Sequence, residues 1–281
     1  MIENINWYPG HMKKTRELIQ ENLKLVDAAV EVLDARIPVS SRNPVIDDIL
    51  KNKKRVVILN KSDLADDGEN KKWAEAIAKN GHAAIPMNCM TGAGISKLFK
   101  LFYAMQVEKN SGQQRVKPLR FMIVGVPNAG KSSLINRLVG KKSAKTGDRP
   151  GITRGKQWLS LDGGVQLLDT PGILWPKFED RRTGLYLAFC GAIKDEILDR
   201  ETLALELIDV LLDRYPELIR ERYKIGTLHE SPIDNLELIA VKRGFLMPGK
   251  RIDYERAART LLDEFRSGLI GRVTLEPNDG V

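Results

Sequence analysis

Short apolar runs separated by amphipathic stretches fill the first two thirds of the chain. Ala28 to Leu33, Arg55 to Leu59, Ala83 to Met87, Phe121 to Val124 and Val165 to Leu168 read as short buried strands. Between them, residues 43–50, 69–79 and 95–107 repeat apolar positions at helical spacing. Ahead of the first strand, Met12, Ile19, Leu23 and Val26 share one face of a helix predicted over residues 10–26. Strands that alternate with helices predict an α/β layer built on a largely parallel sheet. Residues 109–117, rich in Gly, Gln and charge, read as a connecting loop.

From about residue 178 the strand pattern stops. Leu203, Leu207, Ile208 and Leu211 recur at helical spacing behind Asp199, an N-cap candidate. Pro216 and Pro232 suit the first turns of two more helices. Asp253 opens another, which buries Ala257, Leu261, Leu262 and Phe265 before Gly268 ends it. The expected organisation is an α/β domain over residues 1–178 and an all-α domain over 179–281.

Composition narrows the class. The 281 residues are 42% hydrophobic and 29% charged, which suits a globular protein and excludes a disordered or fibrous one. No apolar run approaches the ~20 residues needed to cross a bilayer, so no membrane partner is expected. The first 17 residues hold no signal-type apolar stretch, and Cys89 and Cys190 have no metal-ligand spacing. A cytoplasmic protein is expected. The net charge of +8 is unevenly placed. Residues 1–177 hold 29 basic and 17 acidic side chains, whereas residues 178–281 hold 16 basic and 20 acidic. Residues 109–156 alone carry 12 basic side chains against one acidic residue, Asp148. That segment is a candidate for contact with a polyanion.

Gly125-Val-Pro-Asn-Ala-Gly-Lys-Ser132 matches the phosphate-binding pattern G-x-x-x-x-G-K-[ST] between a strand and a helix. Its glycines let backbone N–H groups of Asn128, Ala129 and Gly130 close on phosphate at a helix N-terminus, followed by Lys131, Ser132 and Ser133. Lys131 would reach the β- and γ-phosphates and Ser132 would ligate Mg²⁺. Asp169-Thr-Pro-Gly172 follows a strand, where Asp169 could hold Mg²⁺ through water and the Gly172 N–H could meet the γ-phosphate. Thr153, in Pro150-Gly-Ile-Thr153, could add a hydroxyl to Mg²⁺ and sense the γ-phosphate. Asn60-Lys-Ser-Asp63 follows the strand ending at Leu59. Asp63 could accept two hydrogen bonds from guanine, whose donors adenine lacks. Asn60 could bond another base edge and the Lys61 stem could lie over the ring, with Ser62 between. Asn88 and Cys89, after the next strand, are candidates for a backbone donor to guanine O6.

The order is unusual. GTPases ordinarily run P-loop, Thr switch, D-x-x-G and then N-K-x-D, but here N-K-S-D precedes the P-loop by about sixty residues. The same sheet can still form, because strand neighbours are set in space and compact domains tolerate permutation. The segment after Gly172 then leads straight into the helical domain, so nucleotide state could tilt that domain.

These motifs in this order resemble the circularly permuted GTPases, and most closely the bacterial ribosome biogenesis GTPase A (YlqF-type) group. Further carriers are Trp7-Tyr-Pro-Gly-His-Met12, Asp34-Ala-Arg-Ile-Pro38 with Ser41-Arg-Asn-Pro44, and Thr146 to Thr153. Others are Asp169 to Asp180, Gly191-Ala-Ile-Lys-Asp195 and Lys242-Arg-Gly244. The resemblance implies a permuted P-loop GTPase domain with a C-terminal helical domain that contacts RNA. It also implies GTP hydrolysis coupled to late maturation of the large ribosomal subunit. The partners would then be GTP or GDP, ribosomal RNA and ribosomal proteins, with no DNA expected. Asn88-Cys-Met departs from the Ser-Ala-Lys type of guanine loop.

Ras-like enzymes orient the attacking water with a Gln just after D-x-x-G, where this chain has Ile173. His11 is the candidate replacement, because a His near neutral pKa suits water or proton handling. Asn128 could add a K⁺ site beside the phosphates, as in GTPases with a similar P-loop. Turnover is expected to be slow alone and stimulated by ribosomal particles. Two other classes compete. A nucleotide-gated RNA-binding module with little hydrolysis is favoured by Ile173, and a P-loop kinase or ATPase is opposed by N-K-S-D.

Overall fold

A computed structural model of the chain describes residues 17, 19–51, 53–140, 158–168, 180–193 and 199–279. They fall into two compact units, residues 17–168 with 276–279, and residues 180–275. His11, Thr153, Asp169, Gly172 and Ile173 lie outside the described residues.

In the first unit, six strands form one sheet: β1 (Ala28–Asp34), β2 (Lys54–Asn60), β3 (Ala83–Met87), β4 (Leu119–Val124), β5 (Trp158–Leu161) and β6 (Val165–Leu168). Their order is β3-β2-β1-β4-β6-β5. Neighbours run parallel except for β5 against β6, which is antiparallel. Every residue of β1 is buried, as a central strand covered on both faces requires. The sequence pattern passes over β5, since only four residues lie on the sheet edge and none is fully buried.

Among the described residues, helices α1 (Pro44–Leu50), α2 (Asp67–Lys79), α3 (Ile95–Asn110) and α4 (Lys131–Val139) pack on the sheet, and residues 19–23 are also helical. Asn43 caps α1 by accepting from the Val45 N–H, and Asp66 caps α2 by accepting from Gly68 and Glu69. Ile19, Val26, Ile46 and Leu50 pack with Ala29, Met122 and Leu168, while Ile77 packs with Leu33, Val57 and Leu59. In-register pairing puts Ala29, Glu31 and Leu33 beside Arg55, Val57 and Leu59 on that face. The buried carboxylate of Glu31 is met there by Arg55 Nη1 at 3.1 Å. Leu98 and Phe102 of α3 are also fully buried, and the Phe102 ring lies 4.3 Å from Phe121.

The chain's last described residues belong to this unit. The Glu276 carboxylate accepts from the Val39 N–H at 2.7 Å, the Ser40 N–H at 3.0 Å and the Ser40 hydroxyl. Its backbone carbonyl takes Trp73 Nε1–H at 2.7 Å. The tail therefore joins the loop after β1 to α2.

The second unit contains α5 (Arg181–Phe189), α6 (Arg200–Arg214), α7 (Pro216–Tyr223), α8 (Pro232–Arg243) and α9 (Tyr254–Arg266). Asp199 and Asp253 cap α6 and α9 through their side chains, and Pro216 and Pro232 occupy first turns. Residues 184–189 of α5 are all buried, so no polar face marks that helix in the sequence. A two-stranded ribbon, β7 (Leu246–Met247) with β8 (Arg251–Ile252), interrupts the helices. An all-helical pattern was expected here, and strands of two residues are too short to show alternation.

Glu276→Ala removes the acceptor of three donors. Amide hydrogen exchange at Val39 and Ser40 should accelerate by roughly tenfold or more, the scale of a lost charged hydrogen bond. Unchanged exchange there would show that the tail does not hold the loop.

Candidate nucleotide site

Two loops leave the sheet at the same end. β2 and β4 both pair in parallel with β1, one on each side, so N-K-S-D and the P-loop flank the carboxyl end of β1. In open α/β sheets that is where ligands bind, at the point where strand order reverses direction.

The P-loop wraps closely over this end. Gly125 has φ 149°, and a Cβ there would lie 2.4 Å from the Val32 carbonyl oxygen. Gly130 has φ 106°, and a Cβ there would come within 2.0 Å of Asn60 Nδ2. Only glycine fits either position. Gly130 also begins α4 without a side-chain cap, and a helix N-terminus is favourable to an anion. Lys131 Nζ donates to the Gly125 and Val126 carbonyls at 3.1 and 2.8 Å. Ala129 is buried, Ser133 is half-buried, and Asn128 and Ser132 are exposed.

Asn60 ties three loops together. Its Nδ2 donates to the Ala129 carbonyl at 2.6 Å, and its Oδ1 accepts from the Cys89 N–H at 3.0 Å. The amide keeps a second N–H for another acceptor. Because the Cys89 N–H is given to Asn60, it can reach a base oxygen only by exchanging that bond. Asn88 Oδ1 accepts from Met90 and Thr91, which closes the turn. Ser62 donates its N–H to Met87 and accepts from Asn70 Nδ2, fixing the backbone around Asp63, whose side chain is exposed.

Lys61 has φ 59°, and its Nζ meets Asp34 Oδ2 at 2.8 Å. Asp34 is also bound by Arg36, through Nε at 2.9 Å and Nη2 at 2.8 Å. Burial alone would raise the Asp34 carboxyl, but Arg36 and Lys61 outweigh it and hold the group well below the usual 3.8. Its contribution to stability is therefore present above that value and lost as pH falls below it.

Motif reading passed over Asp34, Arg36 and Arg137 as site residues. Arg137 Nε donates to the Cys89 carbonyl at 3.4 Å and its Nη2 to the Met90 carbonyl, anchoring the loop after β3 to α4. An acidic residue at the end of the strand beside β2 was the available signal for Asp34. Nothing local marks Arg137.

The central basic segment divides on inspection. Lys109 pairs with Asp27, Arg120 lies 5.0 Å from the Trp158 ring, and Lys131 and Arg137 bind loop carbonyls. Arg115 and Lys117 are exposed. The remaining six, Lys141, Lys142, Lys145, Arg149, Arg154 and Lys156, lie outside the described residues. In the helical unit, Lys242, Arg243, Lys250, Arg251 and Arg259 are all exposed, and Arg243 is also held by Glu264 at 2.9 Å and lies over Tyr223.

A family model described as 50S ribosome-binding GTPase matches residues 120–236. The chain is 44% identical to ribosome biogenesis GTPase A of Bacillus cereus over 276 residues, covering 97% of this chain and 93% of that protein. It is 35% identical to mouse (Mus musculus) mitochondrial ribosome-associated GTPase 1 over 291 residues, covering 96% and 89%. Among solved structures, GNP-bound YlqF from T. maritima matches with a TM-score of 0.65 and 30% identity, covering 95% of this chain and all of that one. A GDP-bound YlqF matches with the same TM-score and 31% identity, covering 92% and 98%.

Cys89 is buried, which pushes its thiol up from 9.0 to about 12 despite the opposing Arg137 charge. Below pH 9 folded and unfolded chains both keep the proton; from 9 toward 12 only the unfolded chain releases it, so this contribution to stability falls as pH rises. At pH 8.5, iodoacetamide should alkylate Cys89 at least ~100-fold more slowly in the folded chain than in the unfolded one. Equal rates would show that the loop opens freely.

Proposed function

We infer the function from membership: the chain belongs to the ribosome biogenesis GTPase A family. It is a GTP-hydrolysing enzyme that acts in ribosome biogenesis. The more specific reading is a permuted GTPase that assists late assembly of the large subunit in the cytoplasm, contacting its RNA and proteins. No helix among the described residues is long and apolar enough to cross a membrane. The observation that carries the nucleotide assignment is the Asn60–Ala129 hydrogen bond. It supports the reading because it joins N-K-S-D to the P-loop although the two are 69 residues apart in sequence.

On this reading, phosphate enters the P-loop where the N–H groups at the start of α4 converge, and Lys131 exchanges its carbonyl partners for phosphate oxygens. Asp63 reads the guanine donors, the second Asn60 N–H meets another base edge, and the Lys61 stem forms a face of the base slot. Ser132, Thr153 and Asp169 would hold Mg²⁺, with Asp169 acting through water and Gly172 reaching the γ-phosphate. All of these donors are oxygens, which suits a hard cation. Phosphate oxygens and water would complete the set. When bound, Mg²⁺ neutralises charge on the β- and γ-phosphates. The exposed Asn128 amide would serve K⁺, and faster turnover in potassium than in sodium salts tests that role.

Ile173 cannot orient water, so His11 is assigned that task on the ribosome. GTP turnover should rise on adding immature large subunits. His11→Ala should lose roughly 100-fold or more of that stimulated rate, the lower end for a general base, while GTP affinity stays unchanged. Full stimulation of the variant would reject His11. Turnover that stays negligible with every particle would favour the second reading, a nucleotide-gated binding module.

The concentration of basic residues over 109–156 motivates a proposal for the docking side. Reversing Lys141, Lys142 and Lys145 together should weaken ribosome binding and flatten its dependence on salt. Unaltered affinity and salt slope would show that those lysines are only solvated.

A further inference from the structure

Lys61 combines two unusual features. A positive φ is uncommon for a residue other than glycine, and Lys61 has φ 59°. The stem's charged end then lands on a carboxylate that is already fully oriented. Arg36 grips Asp34 from its own backbone N–H at 3.1 Å, from Nε at 2.9 Å and from Nη2 at 2.8 Å. The Arg36 and Asp34 side chains are 1% and 3% exposed, so this pair is sealed from water. The Asp34 N–H donates to Ser41 Oγ at 3.1 Å, and the Ala35 N–H donates to the Asn60 carbonyl at 2.8 Å. The loop that carries the carboxylate is thus bonded to the strand end that carries Lys61.

Two cations share one carboxylate in this arrangement. Arg36 already provides a charge for Asp34, so Lys61 is not needed to neutralise it. The Lys61 side chain is 24% exposed, well above Arg36, and lies on the solvent side of the pair. A buried neutralising pair would not recruit a second, more exposed cation from a strained backbone position. A device for holding a flexible stem in one rotamer would.

We propose that Asp34, locked by Arg36, is a positioning residue for guanine recognition, pinning the Lys61 ammonium so that the lysine stem forms a pre-set wall of the base slot. The inference rests on the reading that the Lys61 stem packs against the base. Pinning removes rotamer freedom before the nucleotide arrives, so less is lost on binding. The gain falls mainly on nucleotide dissociation, because a pinned stem cannot swing away from the bound base.

The test compares GDP affinity and dissociation rate for the full-length chain and four variants: Lys61→Ala, Lys61→Met, Asp34→Asn and the double Asp34→Asn/Lys61→Met. Lys61→Ala removes stem and anchor, and should weaken GDP binding the most, by about 100-fold. Lys61→Met keeps an apolar stem and loses only the anchor; it should weaken binding about tenfold, mainly through faster dissociation. Asp34→Asn should do the same, and the double variant should be no worse than either single one, as residues acting through one contact require. Pyrophosphate affinity, read in the same assay, should stay at the wild-type level in Lys61→Met. Wild-type GDP affinity in Lys61→Met alongside a weakened Lys61→Ala would overturn the pinning while leaving the base contact standing. Wild-type affinity in Lys61→Ala would overturn the base contact and the pinning together. Losses that add in the double variant would show that Asp34 supports only the fold.

Discussion

One side chain holds the site together. Asn60 closes the end of β2 onto the P-loop through the Ala129 carbonyl and onto the loop after β3 through the Cys89 N–H. Its approach is possible because Gly130 has no Cβ, which would otherwise stand 2.0 Å from Asn60 Nδ2. The absence of a Cβ at Gly130 thus admits the Asn60 amide from the N-K-S-D turn. On the proposed reading, phosphate binding and base reading share a single packing constraint.

That constraint makes the permuted order workable. In the sheet order β3-β2-β1-β4-β6-β5, β1 separates the two motif-bearing strands, and both loops emerge at its carboxyl end. Chain order changes which segments are continuous with the helical unit, not which loops meet. Around the clamp, the loop after β1 forms a brace. At its start Asp34 binds Lys61, and at its far end Val39 and Ser40 are held by Glu276. The N-K-S-D turn is thus supported by a loop that is itself held by the tail.

Much of this was legible in the amino-acid sequence, for a physical reason. The P-loop and N-K-S-D are contiguous motifs on the ends of apolar strands, so spacing and periodicity disclose both residue types and context. The caps Asp199 and Asp253 were legible for the same reason, since a cap and its helix are neighbours. What stayed hidden depends on distant pairs. Glu276 meets Ser40 from 236 residues away, and Arg137 reaches Cys89 across 48. The buried α5 and the two-residue strands β7 and β8 lack the alternation that betrays an element. Charge misled in part, because Lys131 is buried on loop carbonyls and Arg120 and Arg137, though exposed, are already engaged by Gln166 and by the Cys89 and Met90 carbonyls.

The central claim is that N-K-S-D and the P-loop form one guanine-reading site despite their order. Asp63→Asn tests it most directly, since an amide can donate to the C2 oxygen of xanthine where the carboxylate accepts from the guanine amino group. Affinities for GDP and xanthosine diphosphate should be measured on both proteins. The account predicts that the wild type prefers GDP and that the variant prefers xanthosine diphosphate. A variant that keeps the wild-type preference for GDP would contradict it.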